Sequence, residues 1–151
     1  MLVTRRYLEI TLFLLLMVTV GVISLGIMRK LQLDRSSQEL ALTVTESVLA
    51  GNIDSLVENG SAELLQSQSG QMLQNYVTFV IRALGPLRTM QSITGTSKVS
   101  LFIFGDEAPT ASYTLALEFD NALADAVIEM RQQSERWQIT SFTVQSDYLA
   151  E

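Results

Sequence analysis

The run YTLALEFDNALADAVIEMRQQSERWQITSFTV, residues 113–144, alternates apolar and polar side chains with the period of two that is typical of β-strands. Asp120 and Asn121 lie between two alternating stretches and favour a two-residue hairpin loop. In that register one face is apolar throughout, and its members are Tyr113, Leu115, Leu117 and Phe119 opposite Ala122, Ala124, Ala126 and Ile128. The Ala row leaves room for a helix, so the run predicts an antiparallel hairpin packed against a helical layer.

Short β-like runs, separated by turn residues, continue through the chain after Pro86. The predicted strands are residues 89–94, 98–104, 112–119, 122–130 and 137–144. Helical periodicity precedes them between residues 36 and 84. A series of helices followed by an antiparallel sheet predicts an α+β domain, with helices packed on a curved sheet of about five strands.

Three helices are predicted before the sheet. Ser36 and Glu39 have the spacing of a capping box, which would open a helix that ends at Gly51-Asn52. Asn52 is the expected cap of a short second helix that stops at Asn59-Gly60. The third and clearest helix covers residues 70–84, ends at Gly85-Pro86, and is expected to pack on the apolar sheet face.

The stretch YLEITLFLLLMVTVGVISLGIM, residues 7–28, has 16 apolar residues among 22 and Glu9 as its one ionisable carboxylate. At ~1.5 Å per residue it spans roughly 33 Å, enough to cross a bilayer core. The cationic residues that flank it are Arg5, Arg6, Arg29 and Lys30. We interpret residues 7–30 as a single-pass signal-anchor whose residues 7–28 contact the lipid bilayer.

Two alternatives concern this segment. Ser24-Leu25-Gly26 resembles a signal-peptidase site, although the apolar stretch exceeds the usual h-region of about 7 to 15 residues. Glu9 could serve an intramembrane contact, or it could pair locally with Arg5 and Arg6 at the headgroup level.

The positive charges at the two ends of the apolar helix nearly balance, so they do not decide its orientation. The short N-terminal tail and the acidic domain after the helix favour an inner-membrane anchor with a periplasmic domain.

The composition excludes much familiar chemistry. The chain has no Cys and no His, which excludes disulfides, Cys or His metal ligation, a Cys nucleophile and a His-based triad. Ten basic residues against 16 acidic residues give a net charge of −6, which argues against a nucleic-acid partner. We therefore predict no catalytic, cofactor or metal residues. Possible pocket-lining residues are Tyr76, Tyr113 and Trp137.

The order of a short helix pair, a longer helix ending in Gly85-Pro86-Leu87 and the strand run of residues 113–144 resembles the nuclear-transport-factor-two-like, or cystatin-like, superfamily. The resemblance covers about residues 36–144 and rests on the order of elements. The family includes enzymes, small-ligand binders and non-catalytic assembly modules, so the resemblance implies a fold more than a function. Its membrane-anchored members include the inner-membrane scaffold subunit of type IV secretion systems, which is similar in layout.

These features predict a short tail at residues 1–6, the anchor at 7–30, a link at 31–35, a domain at 36–147 and a tail at 148–151. The link lacks Gly and Pro, so it could continue the membrane helix into the domain. The predicted function is a membrane-anchored, non-enzymatic protein-interaction or assembly module of a bacterial-type envelope, with a protein partner or a second copy. The alternative is a pocket protein that binds a small apolar ligand or acts as a minimal acid–base enzyme.

Overall fold

The computed structural model describes residues 2–98 and 107–149, with side chains from residue 9 onward. Its elements are α1 (Leu2–Leu49), α2 (Asp54–Asn59), α3 (Ala62–Ser67), α4 (Gly70–Leu84), β1 (Leu87–Lys98), β2 (Thr110–Phe119), β3 (Leu123–Gln133), β4 (Arg136–Gln145) and a final 3-10 turn at Asp147–Leu149. The chain divides into two compact units, Met1–Leu33 and Asp34–Glu151. The predicted α+β class is confirmed.

The first unit is the apolar part of helix α1. Its large apolar side chains from Ile10 to Leu31 are exposed, by between 45% at Val22 and 69% at Leu12. By length and composition this helix could cross a membrane, a criterion that a signal sequence near an N-terminus also meets. Arg29 and Lys30 lie within α1, whereas the side chains of Arg5 and Arg6 fall outside the described residues.

Helix α1 has no break between the apolar segment and the domain, so the prediction that a new helix starts at Ser36 is wrong. The physical reason is that the link contains no Gly or Pro to interrupt the backbone hydrogen bonds. The Ser36 hydroxyl does not cap a helix but accepts a hydrogen bond from Trp137 Nε1 at 3.0 Å. The predicted end is confirmed, because Gly51 follows the helix with φ of 94°.

The shorter helices agree with the sequence in part. Helix α2 ends at Asn59 as predicted, but Ile53 and not Asn52 occupies its N-cap position. Helix α3 was not predicted; the Ser61 hydroxyl begins it by accepting a hydrogen bond from the Leu64 amide at 3.1 Å. Helix α4 has the predicted bounds, and Gly85 ends it with φ of 83°.

The described strands form one open antiparallel sheet in the order β1-β2-β3-β4. The Phe119 amide donates to the Ala122 carbonyl at 2.9 Å, which closes the predicted two-residue loop at Asp120-Asn121. The predicted register is confirmed by the pairs Tyr113–Ile128, Leu115–Ala126 and Leu117–Ala124. The hairpin therefore presents the apolar face that its alternation predicted.

A sheet of five strands is not confirmed, since the described residues contain four. Lys98 ends β1, and the remainder of the predicted strand at residues 98–104 lies outside the described residues. Strands β3 and β4 are longer than predicted because a tight turn at Ser134 and Glu135 joins them. Both turn residues have positive φ, of 49° and 63°.

The core lies between the helices and one face of the sheet, which we call the inner face. Its largest fully buried side chains come from α1, α2, α4 and three strands: Val44, Thr45, Val48, Leu56, Leu73, Val80, Leu84, Leu115, Leu117, Ile128, Met130 and Ile139. The Val144 amide donates to Tyr76 Oη at 2.8 Å and so joins α4 to β4. Helix α4 thus contacts the sheet at β4, and its packing on the Ala row of the hairpin stays a prediction.

Gly95 lies opposite Tyr113 in the β1–β2 ladder and tolerates no side chain. Its φ is 134°, and a Cβ there would lie 2.8 Å from Tyr113 Cα and would also collide with the Ser112 carbonyl oxygen. The strand must therefore keep glycine at this position to let the two backbones and the Tyr113 ring approach.

We predict that Gly95→Ala lowers the free energy of unfolding by roughly 2 to 4 kcal/mol or prevents folding, because backbone atoms have to move. Gly70→Ala is the matched control, since a Cβ there meets only Val57 at an ordinary 3.9 Å. Denaturant unfolding of both full-length variants measures the difference. Equal midpoints for the two variants would contradict the required close approach.

Candidate functional site

The three aromatic residues predicted as pocket lining are placed on three elements, α4, β2 and β4. Tyr113 and Trp137 are buried, and Tyr76 is half-buried. Each uses its polar atom in a hydrogen bond: Tyr76 with Val144, Tyr113 with Ser37, and Trp137 with Ser36. These contacts show how the rings are held, and a pocket-lining role stays a prediction.

A polar cluster formed by Asp34, Ser37, Ser97 and Tyr113 joins α1 to β1 and β2. Tyr113 Oη lies 2.8 Å from Ser37 Oγ, and both hydroxyls lie within hydrogen-bond distance of the Asp34 carbonyl, at 3.2 and 3.1 Å. The Asp34 carboxylate accepts from the Ser97 amide at 2.8 Å and from the Ser97 hydroxyl. Asp34 thereby provides a carboxylate acceptor for the Ser97 amide of β1.

The electrostatics of this cluster favour a structural role. Burial raises the pKa of Tyr113 above its ordinary value of 10.0; the hydrogen bond with Ser37 opposes this shift, and the nearby Asp34 charge reinforces it. Tyr113 is therefore a neutral phenol at physiological pH. Because its hydroxyl is also buried, it is poorly suited to act as a base or nucleophile.

The other side of the sheet, which we call the outer face, is not covered by the helical layer. Register and burial assign six transverse rows to it: Lys98–Thr110–Arg131–Gln138, Thr96–Ser112–Glu129–Ser141, Thr94–Thr114–Val127–Thr143, Ser92–Ala116–Asp125–Gln145, Thr89–Glu118–Leu123, and the pair Gln133–Arg136 beyond the first row. Asp34 and Glu63 reach corners of the first two rows, through Thr96 and Arg131. Hydroxyl-bearing side chains predominate on this open surface.

Two shallow depressions lie at opposite ends of the outer face. One, of about 290 Å³, includes Lys98, Glu129 and Arg131 among its lining residues. The other, of about 470 Å³, includes Leu123 and Asp125. None of the three predicted aromatic residues lines either depression. Within residues 9–98 and 107–149, no group of three or more His, Cys, Asp or Glu side chains is placed to hold a metal ion.

A dense group of carboxylates lies on and beside the β2–β3 hairpin. Glu118 and Asp125 are on the outer face, and Asp120 is in the hairpin turn. Asp120 pairs with Arg88, and Glu118 accepts from Gln91 Nε2 at 2.9 Å. These carboxylates lie away from the buried core.

Comparison of the chain with protein-family models, with curated proteins and with solved structures gives no match. Membership of the nuclear-transport-factor-two-like superfamily therefore stays a prediction. The surfaces and buried contacts of the chain itself are what bear on its function.

The polar cluster was not predicted from the sequence. One signal lay at its position: Gly95 is a lone glycine between the predicted strands 89–94 and 98–104, and a glycine that interrupts a β-like pattern is typical of a close backbone approach. Asp34 and Ser37 carried no comparable signal, because a polar residue near the end of an apolar segment is usually solvated.

We predict that Tyr113→Phe lowers the free energy of unfolding by about 1 kcal/mol at neutral pH, since the buried hydroxyl loses its partners. The pH dependence should also change. A folded-state pKa above the unfolded value makes wild-type stability fall as pH rises above about 10 toward the raised value. The variant lacks this component, so denaturant unfolding from pH 7 to pH 11 should give a flatter alkaline profile. Parallel profiles would contradict the buried phenol.

Proposed function

We propose that this chain is a single-pass membrane-anchored, non-enzymatic protein-interaction or assembly module of a bacterial-type cell envelope. The observation that carries the proposal is the combination of an exposed apolar helix with a domain whose described residues bury one sheet face and leave the other uncovered. The first feature supports attachment to lipid. The second leaves a surface available to a protein partner.

The exposed apolar helix supports the anchor on energetic grounds. Transfer of one large apolar side chain out of water is worth roughly 1.5 to 3 kcal/mol, and such side chains follow one another from Ile10 to Met28. They surround the helix and do not form a single stripe, which is typical of a lipid-facing segment. We place the domain in the periplasm, on the strength of the short basic tail before the helix and the acidic domain after it.

The available chemistry supports a binding role over a catalytic one. The sequence offers no thiol or imidazole, and Tyr113 is held as a buried neutral phenol. The carboxylates of the outer face are solvent-facing, without the burial that usually prepares a carboxyl group for acid–base work. A domain with a packed core and a polar open face is suited to contact another protein.

Topology is tested by fusing a reporter that is active only outside the cytoplasm after Glu151, with a cytoplasm-active reporter at the same position as the control. We expect activity from the first reporter and none from the second, with equal protein levels in the membrane fraction. The reverse pattern would place the domain in the cytoplasm. Release of the fused domain from membranes in a shortened form would indicate a cleaved signal peptide.

Interaction is tested by crosslinking the full-length chain in intact membranes, then solubilising it and determining the mass of each product. We expect discrete crosslinked protein products. A chain that stays monomeric, with no crosslinked neighbour at any position probed, would contradict an interaction module. If it also retained a small apolar ligand, the pocket-protein alternative would replace it.

A further inference from the structure

Within the domain, helix α1 has two successive stretches of different chemistry. The first, residues 34–37, makes hydrogen bonds to the strands, and we call it the polar turn. The second, residues 41–49, we call the apolar stretch. It buries four apolar side chains to an exposure of 3% or less, which are Ala41, Val44, Val48 and Leu49. In the described range 34–40 the one buried side chain is Ser37.

Two side chains of the polar turn hold β1 and β2. The Asp34 carboxylate accepts from the Ser97 amide at 2.8 Å and from the hydroxyls of Ser97 and Thr96. The Ser37 hydroxyl lies 2.8 Å from Tyr113 Oη on β2. Both contacts come from one turn of helix, so movement of that turn would break them together.

A third side chain of the same turn holds β4. Ser36 Oγ accepts from Trp137 Nε1 at 3.0 Å. Ser36 is exposed and Asp34 is half-buried, so water has access to the margin of these contacts. A water molecule can therefore take the place of each partner when the turn moves away from the strands.

The two stretches of α1 are held by interactions that respond differently to water. A hydrogen bond that opens into water is replaced by bonds to water, so its net contribution to stability is a small part of its strength. A Val or Leu side chain that becomes exposed gains no such replacement. Local opening of a folded protein begins where apolar contacts are few and water has access. The polar turn should thus leave the sheet at a lower cost in free energy than the apolar stretch.

We propose that the polar turn is a releasable contact, in which residues 34–37 leave the strands in one concerted step while residues 41–49 stay packed. In the closed form α1 joins the sheet at residue 34, and in the open form it joins at residue 41. The exposed part of α1 then gains residues 34–40, roughly 10 Å of helix. The step takes place within the domain and does not require the proposed interaction function.

Hydrogen exchange of the full-length protein in detergent micelles, followed by NMR, tests the release. Two protons report on the polar turn: the Ser97 amide, which donates to Asp34, and the indole proton of Trp137, the one Trp of the chain. The amide of Leu115, a fully buried residue of β2, reports on opening of the whole domain. Both reporters should show equal protection, roughly 100-fold or more below that of Leu115.

Reciprocal substitutions distinguish a concerted step from independent hydrogen bonds. Asp34→Ala leaves Ser36 in place as the acceptor for Trp137, yet the turn should open more readily. The Trp137 indole should therefore exchange roughly tenfold faster. Ser36→Ala is milder because it changes an exposed residue, and it should speed exchange of the Ser97 amide by about threefold. Each variant is thus read at a proton whose own partner is unchanged.

Two further variants serve as controls. Val48→Ala removes buried methyl groups from the apolar stretch, so it should lower the protection of Leu115 by roughly tenfold and leave both reporters unchanged. Glu39→Ala changes an exposed residue of the same helix and should leave all three protons unchanged.

The exchange rates separate the outcomes. Reporter protection equal to that of Leu115, or an equal fall at all three protons in Val48→Ala, would show that the turn opens only with the whole domain and would overturn the release. A Trp137 indole that Asp34→Ala leaves unchanged would show independent bonds and overturn the concerted step. Equal acceleration of that indole by Glu39→Ala would show an effect that does not come from the polar turn and would also contradict it.

Discussion

The close contact between Gly95 on β1 and Tyr113 on β2 accompanies a set of hydrogen bonds that join helix α1 to the sheet. With no side chain at Gly95, the Tyr113 ring can pack against the neighbouring backbone while its hydroxyl reaches Ser37 and the Asp34 carbonyl. The Asp34 carboxylate in turn holds the amide of Ser97, two residues after Gly95. One glycine thus allows a polar connection among α1, β1 and β2, next to the apolar packing of α1 beyond Ser37.

The helices make the two faces of the sheet different. Residues 34–49 of α1 and the shorter helices cover the inner face, where Leu115 and Ile128 are fully buried. The strand period then sends every alternate side chain outward, where the helical layer leaves it uncovered. Threonine and serine suit this position because they favour the extended backbone and remain compatible with water.

Much of this fold could be predicted from the sequence because strong local patterns encode it. The β2–β3 register followed from strict alternation around Asp120-Asn121, and the bounds of α4 followed from its periodicity and the Gly85-Pro86 stop. Errors arose where a local signal competed with its surroundings. Ser36 and Glu39 have capping spacing, but the preceding residues are good helix formers, so the helix continues and Ser36 instead binds Trp137. Ser134 and Glu135 both adopt positive φ in the turn between β3 and β4. Glycine and asparagine are the residues that usually predict such a turn, and neither occurs there. The polar cluster depends on contacts between residues more than 60 positions apart, beyond the range of any local pattern.

A polar, hydroxyl-rich face has a physical advantage in a chain of this kind. A strongly apolar open sheet would associate with many partners as soon as the chain was made, whereas threonine and serine leave the isolated face soluble. The cost is that each contact across such a face contributes little free energy, so pairing in dilute solution would be weak. A bilayer changes that balance, because a helix held in the membrane confines the domain to a thin layer and supplies the concentration that the contacts lack. Under the proposed function, attachment through the apolar helix is what would make contacts of this weak polar face effective.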